Sequence, residues 1–159
     1  MNIIVNIGRQ TLTLFDDAGR ELRRYTVSTG LNGAGEESGS NCTPRGRHLI
    51  RAKIGAGQPL NTVFVKRRPT GEIYTPQLGL QFPDRDWILT RILWLSGCEP
   101  GYNRLGSCDT MRRYIYIHGT TEERGVGVPR SHGCINMLNE DMLELFELVE
   151  AGTLVNVVA

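Results

Sequence analysis

The sequence lacks long apolar runs, a surplus of charge of one sign, and the paired cysteines of a zinc site. No stretch of this 159-residue chain approaches the roughly 20 apolar residues that cross a bilayer, so no membrane span is predicted. The formal net charge is only +1, which gives no reason to expect a nucleic-acid partner. The chain holds no Cys-x-x-Cys pair, and we predict no metal and no cofactor.

The few cysteines and the N-terminus set expectations about the cellular compartment. Cys42, Cys98, Cys108 and Cys134 are expected to be reduced, because a chain of this length needs no disulfides to fold. Whether Cys98 and Cys108 pair is left open, since they flank one glycine-rich loop. Met1 leads directly into a strand pattern without a basic or apolar leader. We therefore expect a cytoplasmic protein if Met1 is the native start, and a periplasmic one if a leader was removed.

Glycine, by contrast, is plentiful, with 19 residues that favour turns between many short strands. The pattern predicts a single mainly β domain over residues 1–159, a twisted sheet or sandwich. The longest apolar stretch, residues 87–95, is interpreted as a buried strand because it is rich in β-branched and aromatic residues. One helix is predicted in the C-terminal region, capped by Asn139, with an apolar face at helical spacing and Gly152 at its end.

The most informative segment is residues 131–136, with the sequence Ser-His-Gly-Cys-Ile-Asn. Upstream, residues 114–117 form a predicted strand that ends at His118. A thiol needs a base to become a thiolate near neutral pH, and an imidazole suits that task. The pattern indicates a cysteine-nucleophile acyl-transfer enzyme. A zinc site is the rival interpretation, but His132 and Cys134 are two residues apart and no ligand pair has zinc-finger spacing.

The same residues resemble the active-site signature of the L,D-transpeptidase (YkuD-like) catalytic domain. In that family a His-Gly pair precedes Ser/Thr-His-Gly-Cys, as His118 and Gly119 precede residues 131–134 here. Residues 26–30, Thr-Val-Ser-Thr-Gly, and residues 43–46, Thr-Pro-Arg-Gly, are similar to the family's VSTG…TPxG run. The resemblance covers the chain from about residue 3 to residue 158 and implies a β-rich fold.

The resemblance assigns roles to the residues of the motif. Cys134 is the expected nucleophile and His118 its base, with the Gly119 carbonyl orienting the second ring nitrogen. Gly133 permits a tight backbone, and the N–H groups of Gly133 and Cys134 are expected to stabilise an oxyanion. Three further residues are expected to support the cysteine loop: Ser131 by hydrogen bonds to the backbone, His132 likewise, and Asn136 by locking the turn that follows.

The family's substrate is the peptidoglycan stem peptide, whose diamino acid and terminal D-Ala carry carboxylates. A guanidinium matches a carboxylate through a two-pronged contact, so Arg91 and Arg130 are candidate substrate-binding residues. Tyr114 and Tyr116 share a face of the predicted strand, and Tyr116 is the candidate for the cleft.

The resulting hypothesis is an enzyme acting on the bond between the diamino acid and D-Ala of a tetrapeptide stem. The missing leader favours a cytoplasmic L,D-carboxypeptidase that releases D-Ala from muropeptides during cell-wall recycling. The alternatives are an L,D-transpeptidase that forms cross-links and a non-catalytic wall-binding module. The expected partner is a stem peptide or muropeptide, and the sequence does not specify an oligomeric state.

Overall fold

The computed structural model describes residues 1–159 as ten strands and two α-helices. The strands span Asn2–Asn6 (β1), Thr11–Phe15 (β2), Glu21–Ser28 (β3), Gly46–Ile54 (β4), Thr62–Val65 (β5), Arg68–Ile73 (β6), Ile88–Gly97 (β7), Tyr116–Gly119 (β8), Ile135–Met137 (β9) and Leu154–Val158 (β10). The helices span Pro76–Gln81 (α1) and Asn139–Leu148 (α2).

All ten strands belong to one sheet, in the order β4-β10-β1-β2-β3-β9-β8-β7-β5-β6. Strand β4 also pairs with β7, and this second pairing closes the sheet into a barrel-like arrangement. The pairs β1–β10 and β8–β9 are parallel, and the other pairs are antiparallel. The prediction of a mainly β fold is confirmed, and closure protects strand edges that an open sheet would expose.

The core follows from the alternation of side chains along the strands. In β1, for example, Ile3 and Val5 are fully buried while their neighbours are half-buried. Twenty buried residues from the whole length of the chain form the main cluster, which includes Met142, Leu145 and Phe146 of α2. Burying one large apolar side chain stabilises a fold by about 1.5–3 kcal/mol, so this cluster is the main source of stability. Neither helix has the length and apolar character needed to cross a membrane.

The predicted strand at residues 87–95 is confirmed as β7, which is almost entirely buried. Its pairing with β8 is irregular between Leu89 and Ile92, and Thr90 within this bulge has a φ of 76°. A β-branched residue rarely adopts a positive φ, because its Cβ substituents crowd the backbone. The bulge interrupts the alternation of side chains, which decides where Arg91 points.

Two local predictions are wrong. Helix α1 has no counterpart in the sequence analysis, because it is too short to show a helical period and buries no residue. It begins after Thr75, whose side chain caps it, and Pro76 occupies its first turn. Strand β8 begins at Tyr116 rather than at Tyr114, since Tyr114 has a φ of 56° and lies outside the ladder. The two tyrosines therefore do not share a strand face.

Candidate active site

The loop that carries Cys134 is closed by one serine. The Ser131 hydroxyl accepts a hydrogen bond from the Gly133 N–H at 3.1 Å and donates to the Cys134 carbonyl at 2.5 Å. Ser131 is itself buried, with 5% of its surface exposed. Because both bonds lie within the loop, the backbone on either side of the cysteine is held in one conformation.

Two segments that are distant in sequence fix this loop to the barrel. The N–H of Ser131 donates to the Thr29 carbonyl at 3.0 Å. The Thr43 hydroxyl donates to the Gly133 carbonyl at 2.9 Å and accepts from the Gly30 N–H at 2.8 Å. These contacts explain the two N-terminal motifs physically, since residues 26–30 and 43–46 supply the surface on which the cysteine loop rests.

Gly133 has no room for a side chain, because an added Cβ would lie 2.8 Å from the Cys42 carbonyl oxygen and 3.0 Å from Ile115. Its φ of 125° also favours glycine. The expected role of its N–H in an oxyanion hole is corrected, since that N–H already donates to Ser131. The Cys134 N–H donates to no protein acceptor and remains free for an incoming oxygen.

The Cys134 thiol is partly buried and held by backbone groups. Its sulfur accepts from the Tyr116 N–H at 3.3 Å and donates to the Tyr114 carbonyl at 3.4 Å. Burial raises the pKa of Cys134 to about 12, and the Asp86 carboxylate adds to the rise while Arg113 opposes it. The thiol is therefore neutral at neutral pH in the free protein, and its proton must leave during the reaction.

His118 lies on β8 opposite Asn136 of β9, and Cys134 stands two residues before Asn136. Alternation therefore puts His118 and Cys134 on the same face of this strand pair. The His118 Nδ1 lies 2.7 Å from the Gly119 carbonyl, so Nδ1–H donates and Nε2 keeps a free lone pair. Burial lowers the pKa of His118, which keeps the ring neutral. No hydrogen bond joins His118 to Cys134 in this state; such contacts often form only with substrate.

Gly119 is held by a residue that the sequence analysis assigned elsewhere. A Cβ at Gly119 would lie 2.1 Å from the Asn139 Oδ1, so only glycine fits. The Asn139 amide donates to the Thr120 carbonyl at 2.7 Å and accepts from the Thr90 hydroxyl at 2.6 Å. Asn139 is thus buried in the site rather than capping α2, whose cap residue is Leu138 and lacks a side-chain bond. It fixes the segment that orients His118.

Cys134 opens into a cavity of about 390 Å³. Three cations, Lys66, Arg67 and Arg113, and one carboxylate, Asp86, are among its lining residues. Aromatic, apolar and imidazole groups complete the lining: Ile88, Tyr114, Ile115, Tyr116 and His132. The excess of positive charge favours an anionic ligand.

A second cavity of about 680 Å³ adjoins the first, and Asp86 and His132 line both. His132 is exposed, and its Nδ1 lies 3.9 Å from the Asp86 carboxylate. The second cavity also carries the acidic side chains of Asp84 and Glu123 and the guanidinium groups of Arg85 and Arg124. His132 therefore stands between two compartments and does not contact the thiol.

The sequence is similar to those of known proteins. A family model described as the L,D-transpeptidase catalytic domain, YkuD, matches residues 1–157. The chain belongs to this family. The Escherichia coli K12 protein named "Probable L,D-transpeptidase YbiS" is 46% identical over 120 residues, which cover 69% of this chain and 38% of that protein. The chain thus spans well under half the length of this curated relative.

Solved structures of the family share the fold. An L,D-transpeptidase from Mycobacterium smegmatis aligns with 99% of this chain and 58% of its own at a TM-score of 0.57 and 22% identity. An Enterococcus faecium L,D-transpeptidase aligns with 99% of this chain and 49% of its own at a TM-score of 0.59 and 18% identity. At these identities the likeness concerns the fold alone.

Within this family fold, neither arginine expected to bind substrate reaches the cavity. The β7 bulge turns Arg91 towards α2, where its guanidinium lies 5.4 Å from the Phe146 ring and donates to the Gln58 carbonyl at 2.8 Å. Arg130 is exposed, and its guanidinium donates to the Arg124 carbonyl. Both expectations are corrected.

The remaining expected residues have mixed outcomes. Tyr116 lines the cavity and is buried, and its hydroxyl accepts from Arg67 at 3.0 Å. Asn136 does not lock a turn, because it lies within β9; its Oδ1 is buried without a hydrogen-bond partner.

No group of three or more histidine, cysteine, aspartate or glutamate side chains is arranged to hold a metal. All four cysteines, including Cys98 and Cys108, are free.

Sequence reasoning missed Arg67, Arg113 and Asp86, which all line the cavity. No motif marks them, since each stands in a segment remote from the cysteine in sequence. Arg113 donates to the Cys42 carbonyl at 2.7 Å and to the carbonyls of Gly35 and Glu36 at 3.3 Å. It thereby fastens the polar loop against the site. Only the pairing of strands reveals this proximity.

Proposed function

We propose that this domain is a cysteine acyl-transfer enzyme that acts on the diamino acid–D-Ala bond of peptidoglycan tetrapeptide stems. One observation carries the proposal: Cys134 opens into a cationic cavity on the same strand face as a neutral, oriented His118. A stem peptide carries several carboxylates, which the excess of cations attracts.

The geometry suggests the order of events. In the free protein the Cys134 thiol is neutral and donates a hydrogen bond to the Tyr114 carbonyl. Rotation about its Cα–Cβ bond would break this hydrogen bond and turn the thiol towards Nε2 of His118. His118 takes the proton as the sulfur attacks the scissile carbonyl, and the free Cys134 N–H stabilises the oxyanion. His118 then protonates the leaving D-Ala amine. A thioester between Cys134 and the diamino acid remains.

The acceptor of the acyl group decides the biological outcome. Asp84, Asp86 and Glu123 line the second cavity, where they outnumber the two arginines, Arg85 and Arg124. The surplus of carboxylates attracts the ammonium group of a second diamino acid. This observation favours an amine acceptor, and hence L,D-transpeptidation at the cell wall. With water as acceptor the same thioester gives an L,D-carboxypeptidase, which would suit a cytoplasmic enzyme meeting soluble muropeptides during recycling.

Mass spectrometry of a disaccharide-tetrapeptide incubated with the protein in ¹⁸O-labelled water tests the proposal. Cross-linked dimers with loss of D-Ala support transpeptidation. Tripeptide carrying one ¹⁸O atom identifies hydrolysis, and fractionation of native cells then asks whether the protein is cytoplasmic. Retention of intact tetrapeptide, with binding but no turnover, would indicate the non-catalytic wall-binding module instead.

A further inference from the structure

The three cations of the Cys134 cavity differ in how many of their N–H donors lack a hydrogen-bond acceptor in the protein. Arg113 donates to the backbone carbonyls of Gly35, Glu36 and Cys42. Lys66 is exposed and has no partner, but its ammonium group is a point charge on a flexible stem. Arg67 uses Nη1 alone, towards the Tyr116 hydroxyl at 3.0 Å, and its other donors meet no protein acceptor. Arg67 is thus the cation prepared for a two-pronged contact.

Aromatic rings hold this guanidinium in place. Its central carbon lies 5.0 Å from the centre of the Trp94 ring and 4.7 Å from that of Tyr114. Cation–π contacts of this kind, with the Tyr116 hydrogen bond, fix the plane of the group before a ligand arrives. Pre-organisation lowers the entropic cost of binding, which is what a specificity-determining residue requires.

The backbone at Arg67 is also unusual. Val65 pairs with Arg68, so Lys66 and Arg67 form a two-residue hairpin turn, with φ values of 49° and 64°. Turns of this geometry favour Asn-Gly, because other residues are strained at positive φ. Such strain persists where surrounding contacts impose it, and it clusters at binding sites. Here the turn places both of its side chains, Lys66 and Arg67, at the cavity.

Tyr116 lies between the Arg67 guanidinium and the Cys134 sulfur. Its N–H contacts the Cys134 sulfur, and its hydroxyl contacts Arg67. One tyrosine side chain therefore separates the reacting sulfur from the guanidinium. The carboxylate of the next residue is only three bonds from a scissile carbonyl, whereas the carboxylate at the end of a diamino-acid side chain is several bonds further away. A guanidinium placed one tyrosine side chain from the sulfur therefore suits the longer of these two arms better.

We infer that Arg67 is the specificity residue that binds the side-chain carboxylate of the diamino acid whose carbonyl Cys134 attacks. This inference rests on the proposed function and deepens it. The substrate class it selects is a stem with a free diamino-acid carboxylate, over one in which that carboxylate is amidated. An amide loses the negative charge and one acceptor, so the two-pronged, charge-assisted contact cannot form.

The test compares two tetrapeptides, identical except that the diamino-acid side-chain carboxylate is free or amidated. Binding is measured by calorimetry to the Cys134→Ala variant, and D-Ala release is measured with the active protein. We expect the free acid to bind about 10- to 100-fold more tightly than the amide, as befits hydrogen bonds to a charged group. Adding Arg67→Gln should remove this preference, and Arg67→Lys should restore it only in part.

Arg68→Gln is the matched control, because Arg68 is the exposed neighbour in the same hairpin and lies outside the cavity. It should keep the preference. If Arg67 merely fastens the hairpin, Arg67→Gln would weaken both peptides equally, and the inference would be overturned. Equal binding of the two peptides by the parent would overturn it as well. Carboxylate-dependent binding without D-Ala release would sustain the inference while contradicting the proposed function.

Discussion

The two faces of strands β8 and β9 are built from alternating residues of the same short segments, yet their environments are opposite. On one face, Ile117, Ile135 and Met137 are fully buried in the main core of twenty residues. On the other face stand His118 and Cys134, and Cys134 packs against an apolar cluster of only three buried residues. The core face gains stability from packing, whereas the cleft face carries polar groups whose burial costs free energy.

The comparison shows that the stability of the fold supports the chemistry of the site. Burial shifts the pKa values of His118 and Cys134 in opposite directions, so it strengthens the preference of both groups for their neutral forms. A surface location would remove both shifts. The packed core therefore provides the rigid support on which the cleft can hold polar groups away from water.

The largest expected effect is on the cleft face, at Cys134. Cys134→Ala should reduce D-Ala release from a tetrapeptide by at least ~1000-fold, because it removes the nucleophile. Stability should change little, as judged by circular dichroism and urea unfolding. Cys98→Ala is the matched control and should keep substantial activity, as should Cys42→Ala and Cys108→Ala. A comparable loss in any control with unchanged circular dichroism would identify a different thiol as the nucleophile.

The second-largest loss of activity is expected on substitution of His118. His118→Asn should lower kcat by about 10²–10⁴-fold, the range over which positioned general bases act. His132→Asn should cost much less, because His132 is exposed and does not contact the thiol. The measurement is the steady-state rate of D-Ala release by each variant. If His132→Asn caused the greater loss, the roles of the two histidines would have to be exchanged.

On the core face, Ile117→Ala should lower the free energy of unfolding by about 2–5 kcal/mol, through lost burial and the cavity left behind. Urea unfolding followed by tryptophan fluorescence measures the change. Val65→Ala, at a residue that is 48% exposed on the β5–β6 hairpin, should change stability by under about 0.5 kcal/mol. Equal losses for the two variants would contradict the contrast between the core and the cleft side.

A buried histidine outside the cleft sharpens the comparison. His48 on β4 is fully buried, with Nδ1 3.0 Å from the Gly46 carbonyl and Nε2 2.9 Å from the Thr110 hydroxyl. Burial lowers its pKa from 6.5 to about 4. The unfolded chain therefore binds a proton first on acidification, so stability should fall between pH 6.5 and pH 4, by at most ~3 kcal/mol from this residue.

Urea unfolding at several pH values checks this slope. His48→Gln should flatten it, whatever its effect on stability at neutral pH. His118 adds to the slope of stability against pH in the same direction, because burial lowers its pKa too.

In the intact fold, enzymatic activity should be lost on the acid side as His118 becomes protonated. An activity that rose on acidification would exclude His118 as the base.

The smallest expected effect is that of a chelator. A thiol and an imidazole supply both nucleophile and base, so incubation with EDTA should leave the rate of D-Ala release unchanged. The measurement is activity before and after dialysis against EDTA, with and without added zinc. Inactivation that zinc reverses would favour a metallohydrolase over the cysteine mechanism.

Much of the fold and the centre of the site were predictable from local sequence. A continuous apolar run rich in β-branched and aromatic residues marks β7, and the apolar spacing marks α2, because these signals lie within single elements. The same holds for the motif around Cys134. The prediction that Tyr114 and Tyr116 share a strand face is wrong, because the positive φ of Tyr114 breaks the alternation on which it relied.

The sequence by itself determined a mainly β chain of the L,D-transpeptidase family, with a cysteine and a histidine in its signature. Only the tertiary structure decided which cations face the thiol. Arg67 and Arg113 come from a hairpin and a loop far apart in the chain, and strand pairing through β7 brings them to one cavity. Local patterns encode the period of an element, whereas charge and distance in a cleft depend on contacts between segments that carry no common motif.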